Sequence, residues 1–133
     1  FDNGSTTIQV RRQDATEVDF NRTWSDYVNG FGLSHSEHWI GLQNIYHLTN
    51  GGTNYKLEMV MHRDGYSECI FTFKNFRLVD FIFYQAQYTH KSAACSNGVY
   101  PLVAKNNKFS TNDNQNCKVA NCHLPLTGGW WLF

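Results

Sequence analysis

The chain has 133 residues, a length that predicts a single domain over residues 1–133. Its 11 basic and 11 acidic residues cancel, whereas a surface for nucleic acid or an anionic membrane would normally carry a basic excess. No apolar run approaches the ~20 residues that a membrane-spanning helix needs. No signal peptide is visible at Phe1, so we expect a mature or trimmed chain.

Two elements are predicted near the beginning of the chain. Thr6–Gln13 is rich in β-branched residues and is predicted as a strand. Asp19 is a candidate N-cap for a helix that runs to Asn29, because the apolar residues between them fall on one helical face. Gly30 and Gly32 are then expected to end this helix.

A second helix is predicted over Ser34–Thr49. Ser34 and Glu37 have the spacing of a capping box, in which two side chains bind free backbone N–H groups at the start of a helix. The apolar residues that follow recur at helical spacing, although Gly41 makes two short helices as consistent as one long helix. Asn50-Gly51-Gly52 is predicted to end the helix and turn the chain.

Three strands are predicted next, at Tyr55–Met61, Tyr66–Phe73 and Val79–Tyr84. Turns at Arg63-Asp64-Gly65 and Lys74-Asn75 connect them, which predicts an antiparallel meander. The second helix has an apolar stripe and the first of these strands has an apolar face, so we expect the two to pack together. The predicted fold class is therefore α+β.

The composition of the sequence changes over Gln85–Thr127. This segment is rich in Asn, Ser, Lys and Gly and shows little periodicity. A loop of this length without secondary structure is usually functional, cross-linked or mobile. We therefore expect a scaffold of helices and strands over residues 1–84 and a loop-rich recognition subdomain over residues 85–133.

The sequence has an even number of cysteines and two sequons for glycosylation. The cysteines are Cys69, Cys95, Cys117 and Cys122, which allow three complete disulfide pairings. Asn3 and Asn21 each begin an Asn-x-Ser/Thr sequence and are candidate glycosylation sites. Cys117, Cys122 and His123 are spaced loosely like zinc ligands. Because no second ligand pair lies near them in the sequence, we expect no zinc site.

The sequence contains no recognisable catalytic set. Six histidines are scattered along the chain, and none accompanies a serine elbow, an H-E-x-x-H helix or a phosphate-binding loop. A nucleophile needs a positioned base and an orienting group. We therefore assign no catalytic residue and expect no enzyme.

Paired tryptophans close the sequence at Trp130 and Trp131. With nearby tyrosines they could form a stacking platform for sugars or a partner surface. They could equally close the core beneath the loop region, and we favour this second interpretation for at least one of them.

Three groups of motifs stand out along the chain. Residues 39–49 read WIGLQNIYHLT. Residues 11–32 contain R-R-Q-D, V-D-F, R-T-W and G-F-G, and residues 109–131 contain F-S-T, N-C and G-G-W-W. In this order they resemble the signature of fibrinogen-related domains, the globular C-terminal domains of fibrinogen chains, ficolins, tachylectins, angiopoietins and tenascins.

This resemblance implies a fibrinogen C-terminal-like fold, with an antiparallel sheet flanked by short helices, in a secreted and non-enzymatic protein. The leading functional hypothesis is a lectin-like or innate-immune module that binds glycans or glycoproteins. The alternative is a structural or assembly domain that packs against other protein chains in a larger extracellular complex. Both hypotheses imply membership of an oligomer, and neither involves nucleic acid or a membrane span.

The resemblance also locates a calcium loop after F-S-T, where calcium-binding members carry several carboxylates. In this chain, Gln115 and Cys117 fall at the positions that normally supply carboxylate ligands. Asp113 is the one acidic residue left, as a residual calcium-loop position. We therefore expect no metal ion and no other cofactor.

Family members that recognise acetyl groups hold them in an aromatic pocket beside the last disulfide. That disulfide reaches a C-H-x-x-N-L-N-G segment beyond the paired tryptophans, and this sequence stops at Phe133, before such a segment. Most of the pocket therefore cannot be transferred. The candidate ligand-binding residues that remain are Tyr100, His123, Trp130 and Trp131.

The resemblance also bears on the disulfides, because Cys122 lacks its family partner and Cys117 is an additional cysteine. The pairing we expect is Cys69 with Cys95 and Cys117 with Cys122. Free or intermolecular thiols are the alternative for the second pair. The first bond would tether the long loop to the sheet, which in the loop-entropy model stabilises the fold by roughly 2–4 kcal/mol.

Overall fold

The computed structural model describes residues 4–12, 18–62, 64–94, 103, 105–118 and 128–131. Within these residues the helices are α1 (Trp24–Asn29) and α2 (Leu42–Thr49). The strands are β1 (Gln9–Val10), β2 (Phe31–Gly32), β3 (His38–Trp39), β4 (Tyr55–Met61), β5 (Cys69–Leu78), β6 (Ala86–Gln87), β7 (His90–Ala94), β8 (Phe109–Ser110) and β9 (Trp130–Trp131). Short helices and antiparallel sheets confirm the α+β prediction. None of the helices in the described ranges is long and apolar enough to cross a membrane.

The strands form three antiparallel sheets. The first has the order β1-β3-β2, the second is built around β5, and the third pairs β8 with β9. In the second sheet, β4 lies along one edge of β5, while β6 and β7 share the other edge. The meander prediction is therefore confirmed for β4 and β5, but its third strand is a different segment.

The turn predicted at Lys74-Asn75 is wrong, because β5 continues through both residues to Leu78. Asn75 has a φ of 53°, a value that asparagine tolerates better than most residues. It lies between the residues that pair with β7 and those that pair with β6. Its side-chain amide donates to Thr89 Oγ1. The positive φ of Asn75 thus occurs within β5, and the chain does not turn there.

Helix α1 begins later than the sequence indicates. Its N-cap is Thr23, whose hydroxyl oxygen accepts a hydrogen bond from Asp26 N at 3.2 Å. Asp19, the predicted N-cap, accepts a hydrogen bond from Asn21 N at 2.8 Å and so closes a local turn. The helix ends at Asn29, as predicted.

Helix α2 also begins late, and the predicted capping box at Ser34 and Glu37 is wrong. Glu37 is buried, with 2% of its surface exposed, and its Oε1 accepts a hydrogen bond from Arg12 N at 2.7 Å. The Glu37 carboxylate therefore binds the backbone N–H group of Arg12 and not a backbone N–H group at the start of the helix, as a capping box requires. The helix begins after Gly41, whose φ is 106°. A Cβ atom there would lie 2.8 Å from Val28 O, so only glycine allows α1 and α2 to approach this closely.

The strand predicted at Val79–Tyr84 is a loop organised by Asp80. The carboxylate of Asp80 accepts hydrogen bonds from the backbone N–H groups of Ile82, Phe83 and Gln85. A bond from Val79 N to Gln85 O, at 3.0 Å, closes the loop. Local side-chain bonding of this kind competes with strand pairing, which explains the wrong prediction.

The second sheet continues beyond Gln85, where the sequence predicts that regular secondary structure ends. Strands β6 and β7 pair with β5 in the segment expected to be irregular. All five residues of β7 are exposed, so its sequence shows no alternation between apolar and polar residues. Backbone hydrogen bonds to β5 are sufficient for pairing. Such bonds do not require a particular side-chain pattern, so the amino-acid composition of β6 and β7 does not indicate them.

The ionised form of Asp80 is favoured in the folded protein. Partial burial by itself raises the pKa of Asp80, but hydrogen bonds from the N–H groups of Phe83, Gln85 and Ile82 outweigh it and hold the pKa below its usual range. A carboxyl group with a depressed pKa stabilises the fold above its unfolded-state pKa, and this stability is lost as the pH falls through the folded-state value.

We expect Asp80→Asn to lower the free energy of unfolding at pH 7 by about 1–2 kcal/mol, because a neutral amide replaces a charged acceptor. The deficit should shrink in acid, where the carboxyl group of the parent protein is itself protonated. Urea unfolding of both proteins at pH 7 and below pH 3.9 measures the difference. Asp64→Asn, at an exposed turn residue, is the matched control. An equal deficit at both pH values would show that the charge is irrelevant.

Candidate functional site

A cleft of about 970 Å³ separates the first sheet from the second. Ile8 and Gln9 line one side of it, and Leu57–Met61 lines the other. Trp39 and Trp130 lie between them. The cleft is thus bounded by β1 and β4, two strands that belong to different sheets.

Strand β4 presents an edge to this cleft, and β1 bounds the cleft through Gln9. Five consecutive residues of β4, Leu57–Met61, line the cleft. Side chains alternate between the two faces of a strand, so a strand that lines a cavity with every residue presents its edge. The opposite edge of β4 pairs with β5, and β1 pairs with β3. Among the described strands, none occupies the β4 edge that faces the cleft.

The floor of the cleft is apolar. Trp39 is almost fully buried, with 1% of its surface exposed, and Trp130 is half-buried. Leu57 and Met59 are half-buried and pack against the hydrophobic core. These side chains offer a bound group contact with aliphatic and aromatic surface while the core beneath them keeps the floor in place.

The rim of the cleft carries charges of both signs. Arg11 and Arg12 lie at the β1 side, and Glu58, His62 and Asp64 lie at the β4 side. Two of these side chains have polar partners outside the cleft: Glu58 forms an ion pair with Lys56 at 2.8 Å, and His62 Nε2 lies 3.4 Å from Glu68 Oε2. The mixed charge suits a polar segment with both signs better than a polyanion.

The two tryptophans of β9 have different environments. Trp131 has 0% of its surface exposed and donates a hydrogen bond from Nε1 to Tyr84 O at 2.7 Å, so it closes the core. Both residues line the cleft, but Trp130 is only half-buried. A Cβ atom at Gly129 would lie 2.7 Å from the ring of Phe109, so a larger residue there would push β9 off the core.

The other two candidate ligand-binding residues, Tyr100 and His123, lie outside the described residues, so their predicted role is a proposal. Sequence reasoning missed the β1 and β4 sides of the cleft. The alternation of Leu57 and Met59 marks an apolar face of β4, but the sequence of a strand does not reveal which of its edges is paired.

Asp113 stabilises the start of a helix. Its Oδ1 accepts hydrogen bonds from Trp24 N at 2.8 Å and from Thr111 Oγ1 at 2.7 Å. Trp24 is the first residue of α1, where a backbone N–H group has no partner within the helix. The carboxylate therefore joins the predicted calcium loop to a helix far away in the sequence.

The residues of this loop do not fit a calcium site. Calcium needs several oxygen ligands, most of its affinity coming from carboxylates. Asp113 is already engaged with α1, and Asn116 donates its side-chain amide to Phe109 O at 2.9 Å. Across the described ranges, no cluster of three or more His, Cys, Asp or Glu side chains could hold a metal ion.

A second, polar cleft of about 580 Å³ adjoins this loop and contains one of the predicted glycosylation sites. Asn21 is exposed there, and its Oδ1 accepts a hydrogen bond from Asn112 Nδ2. We propose Asn21 as a glycan attachment site, since its exposure is what glycosylation requires. Asn3, the other candidate, lies outside the described residues.

Both cysteines among the described residues are in disulfides. Cys69, at the start of β5, and Cys117, after the Asp113 loop, are each disulfide-bonded. Cys95 and Cys122, their predicted partners, lie outside the described residues. We propose that Cys69 pairs with Cys95 and Cys117 with Cys122.

The chain and its fold resemble known proteins. The sequence profile of the family "Fibrinogen beta and gamma chains, C-terminal globular domain" matches residues 1–133. Angiopoietin-4 of Mus musculus is 33% identical over 133 residues, which cover 98% of this chain and 26% of that protein. Tenascin-R of Homo sapiens is 32% identical over 132 residues, which cover 98% of this chain and 9% of that protein. The solved fibrinogen-like globe domain of human ANGPTL2 matches with a TM-score of 0.79 and 32% identity, covering 93% of this chain and 56% of that one.

These comparisons confirm three expectations from the sequence: the fibrinogen-like fold, the extracellular location and the absence of enzymatic activity. They support the assembly alternative better than carbohydrate recognition. The chain spans 26% of the length of angiopoietin-4, so the activity of such a whole protein does not transfer to it directly.

We expect Asp113→Ala to lower the free energy of unfolding by about 1 kcal/mol, because the N–H group of Trp24 loses its partner. Adding calcium, or removing it with EDTA, should leave the melting temperature of the parent protein unchanged. Asn112→Ala, an exposed neighbour in the same loop, is the matched control and should change stability by no more than about 0.5 kcal/mol. Thermal stabilisation by calcium that Asp113→Ala abolishes would contradict the absence of a calcium site.

The proposed disulfide pairing can be read from tryptic peptides without reduction. Trypsin should yield peptide 64–74 linked to peptide 92–105, and peptide 109–118 linked to peptide 119–133. Mass spectrometry before and after reduction identifies each linked pair. A link between peptides 64–74 and 119–133 would establish a different pairing.

Proposed function

Because this protein belongs to the family of C-terminal globular domains of fibrinogen β and γ chains, we propose that it binds other protein chains in an extracellular assembly. The binding site is the cleft between β1 and β4, which accepts an extended polypeptide segment as an additional strand. The observation that supports this proposal is the β4 edge that none of the described strands occupies, which faces β1 of another sheet across an apolar floor.

An open strand edge binds polypeptide through its backbone. Unpaired N–H and C=O groups along the edge form hydrogen bonds with an incoming strand whatever its sequence. β4 has seven residues, and at ~3.4 Å per residue its edge extends roughly 24 Å. A segment of similar length would gain a ladder of backbone bonds on the β4 side and a shorter one on the β1 side.

The side chains of the cleft decide which segments are accepted. Trp130 and Met59 on the floor favour apolar residues at alternate positions of the incoming strand. Arg11 and Glu58 on the rim favour charged residues of either sign at the positions between them. The preferred ligand is therefore an extended segment that alternates apolar and charged residues.

Glycan binding, the leading hypothesis from the sequence, has less support among the described residues. Trp131 is buried and bonded to Tyr84, which removes it from any sugar platform. Asp113 is engaged with α1, and the loop around it does not fit calcium. Trp130, the other described candidate, is half-buried and lines the cleft, where it lies beside a strand edge that suits polypeptide better than sugar.

We expect a phage-displayed library of extended peptides, alternating apolar and charged residues, to yield ligands for the immobilised domain. Val60→Lys should weaken the selected peptides about tenfold, or 1.4 kcal/mol, because a bound strand would desolvate the new charge. Val60 is 49% exposed, so the variant should fold. Calorimetric titration gives the affinities, and the unfolding midpoint checks the fold.

Ala93→Lys is the matched control, since Ala93 is an exposed residue on the opposite side of the same sheet. It should leave peptide affinity unchanged. A glycan array, with and without EDTA, tests the competing function. Failure to select any peptide, together with binding of an acetylated or charged sugar, would replace protein assembly by carbohydrate recognition.

A further inference from the structure

Two adjacent apolar side chains project from the molecule at a place unrelated to the cleft. Phe81 and Ile82 are 68% and 61% exposed, the highest values for large apolar residues in the described part of the chain. They lie at the tip of the Asp80 loop, and neither lines the cleft. Single exposed apolar residues are common, but adjacent ones that stand out together are typical of contact surfaces.

The loop that carries them is held in one conformation. Asp80 accepts three backbone hydrogen bonds from within the loop, and Val79 N donates to Gln85 O. A further bond, from Phe109 N to Phe83 O at 3.0 Å, ties the loop to β8. Preorganised contact residues lose little conformational entropy on binding. Binding through Phe81 would therefore carry a small entropic cost for ordering the loop.

The surroundings of the tip are aromatic and positively charged. The Phe81 ring meets the ring of Tyr46, on α2, at a centroid distance of 6.1 Å. Lys108 is exposed, and its Nζ lies 3.8 Å from the ring centroid of Phe83. Asp80, in the same loop, keeps its negative charge, but its carboxylate faces the backbone N–H groups of the loop, whereas Lys108 is exposed. We call Tyr46, Phe81, Ile82, Phe83 and Lys108 the Phe81 surface.

We propose that the Phe81 surface is a second docking site, for a protein chain that presents an apolar pocket bordered by carboxylate groups. Phe81 and Ile82 fill the pocket, and Lys108 meets a carboxylate at its border. This inference rests on the proposed function and extends it. The cleft binds an extended segment by its backbone, whereas the Phe81 surface inserts side chains into a folded partner. The two surfaces share no residue, so one domain can connect two chains.

The chemistry of the Phe81 surface also resembles that of a loop that inserts into an anionic lipid surface. Lys108 is the one cation of the Phe81 surface, which argues against this, since lipid attraction needs several cations on one face. The protein partner is therefore the choice we test, and lipid binding is one outcome of the test.

The experiment probes an array of purified extracellular protein domains with the tetramerised chain, and liposomes of phosphatidylcholine and phosphatidylserine with the monomer. Each protein bound by the parent chain is titrated against the double variant Phe81→Ser and Ile82→Ser. Leu33→Ser is the matched control, because Leu33 is a comparably exposed apolar residue, at 55%, in another loop. Lys108→Glu tests the charge, and replacing a carboxylate of the partner by lysine tests whether the pair is direct.

We expect at least one array protein to lose affinity about tenfold with the double variant and to keep it with Leu33→Ser. Lys108→Glu should weaken the same complex, and the charge exchange on the partner should restore it. Array proteins that bind the double variant as tightly as the parent but lose affinity with Val60→Lys would overturn the Phe81 surface and leave the cleft proposal standing. Binding to liposomes and to no protein would overturn it in favour of lipid, and binding to no array protein or selected peptide would remove both proposals.

Discussion

Four buried aromatic rings hold together segments that are far apart in the chain. Tyr27 of α1, Trp39 of β3, Phe109 of β8 and Trp131 of β9 lie with ring centroids 4.9–6.2 Å apart along the contacts that join them. Each has 2% or less of its surface exposed. Because Trp131 anchors β9 in this cluster, its neighbour Trp130 is held at the cleft. Trp39 lies on β3, which pairs with β1, and this pairing positions the side of the cleft opposite β4. The proposed binding surface is thus a consequence of the core.

Local patterns in the sequence predicted much of the fold. β4 has the predicted bounds, Tyr55–Met61, and both helices end where predicted, at Asn29 and Thr49. The helix starts were wrong because the polar side chains that could cap a helix had other partners. Asp19 closes a local turn and Glu37 binds a backbone group 25 residues away. A side-chain acceptor can satisfy any nearby donor, and its sequence position does not say which donor that is.

The candidate site was harder to predict than the fold. The paired tryptophans were identified, but only the folded core separates buried Trp131 from accessible Trp130. The strand edge that faces the cleft carries no sequence signal, because an edge is defined by which strands fail to pair with it. The role of Asp113 was likewise hidden, since its partner on α1 lies 89 residues away. Site geometry in this protein depends on contacts between distant segments.

We propose that the cleft between β1 and β4 accepts a polypeptide as an added strand. The most direct measurement is the set of interstrand nuclear Overhauser effects in the domain with a bound peptide, together with amide exchange in β1 and β4. We expect backbone contacts from the peptide to both Gln9 and Leu57–Met61, and slower exchange at the edges of both strands. Contacts limited to the Trp130 ring, with exchange unchanged along β4, would contradict the account.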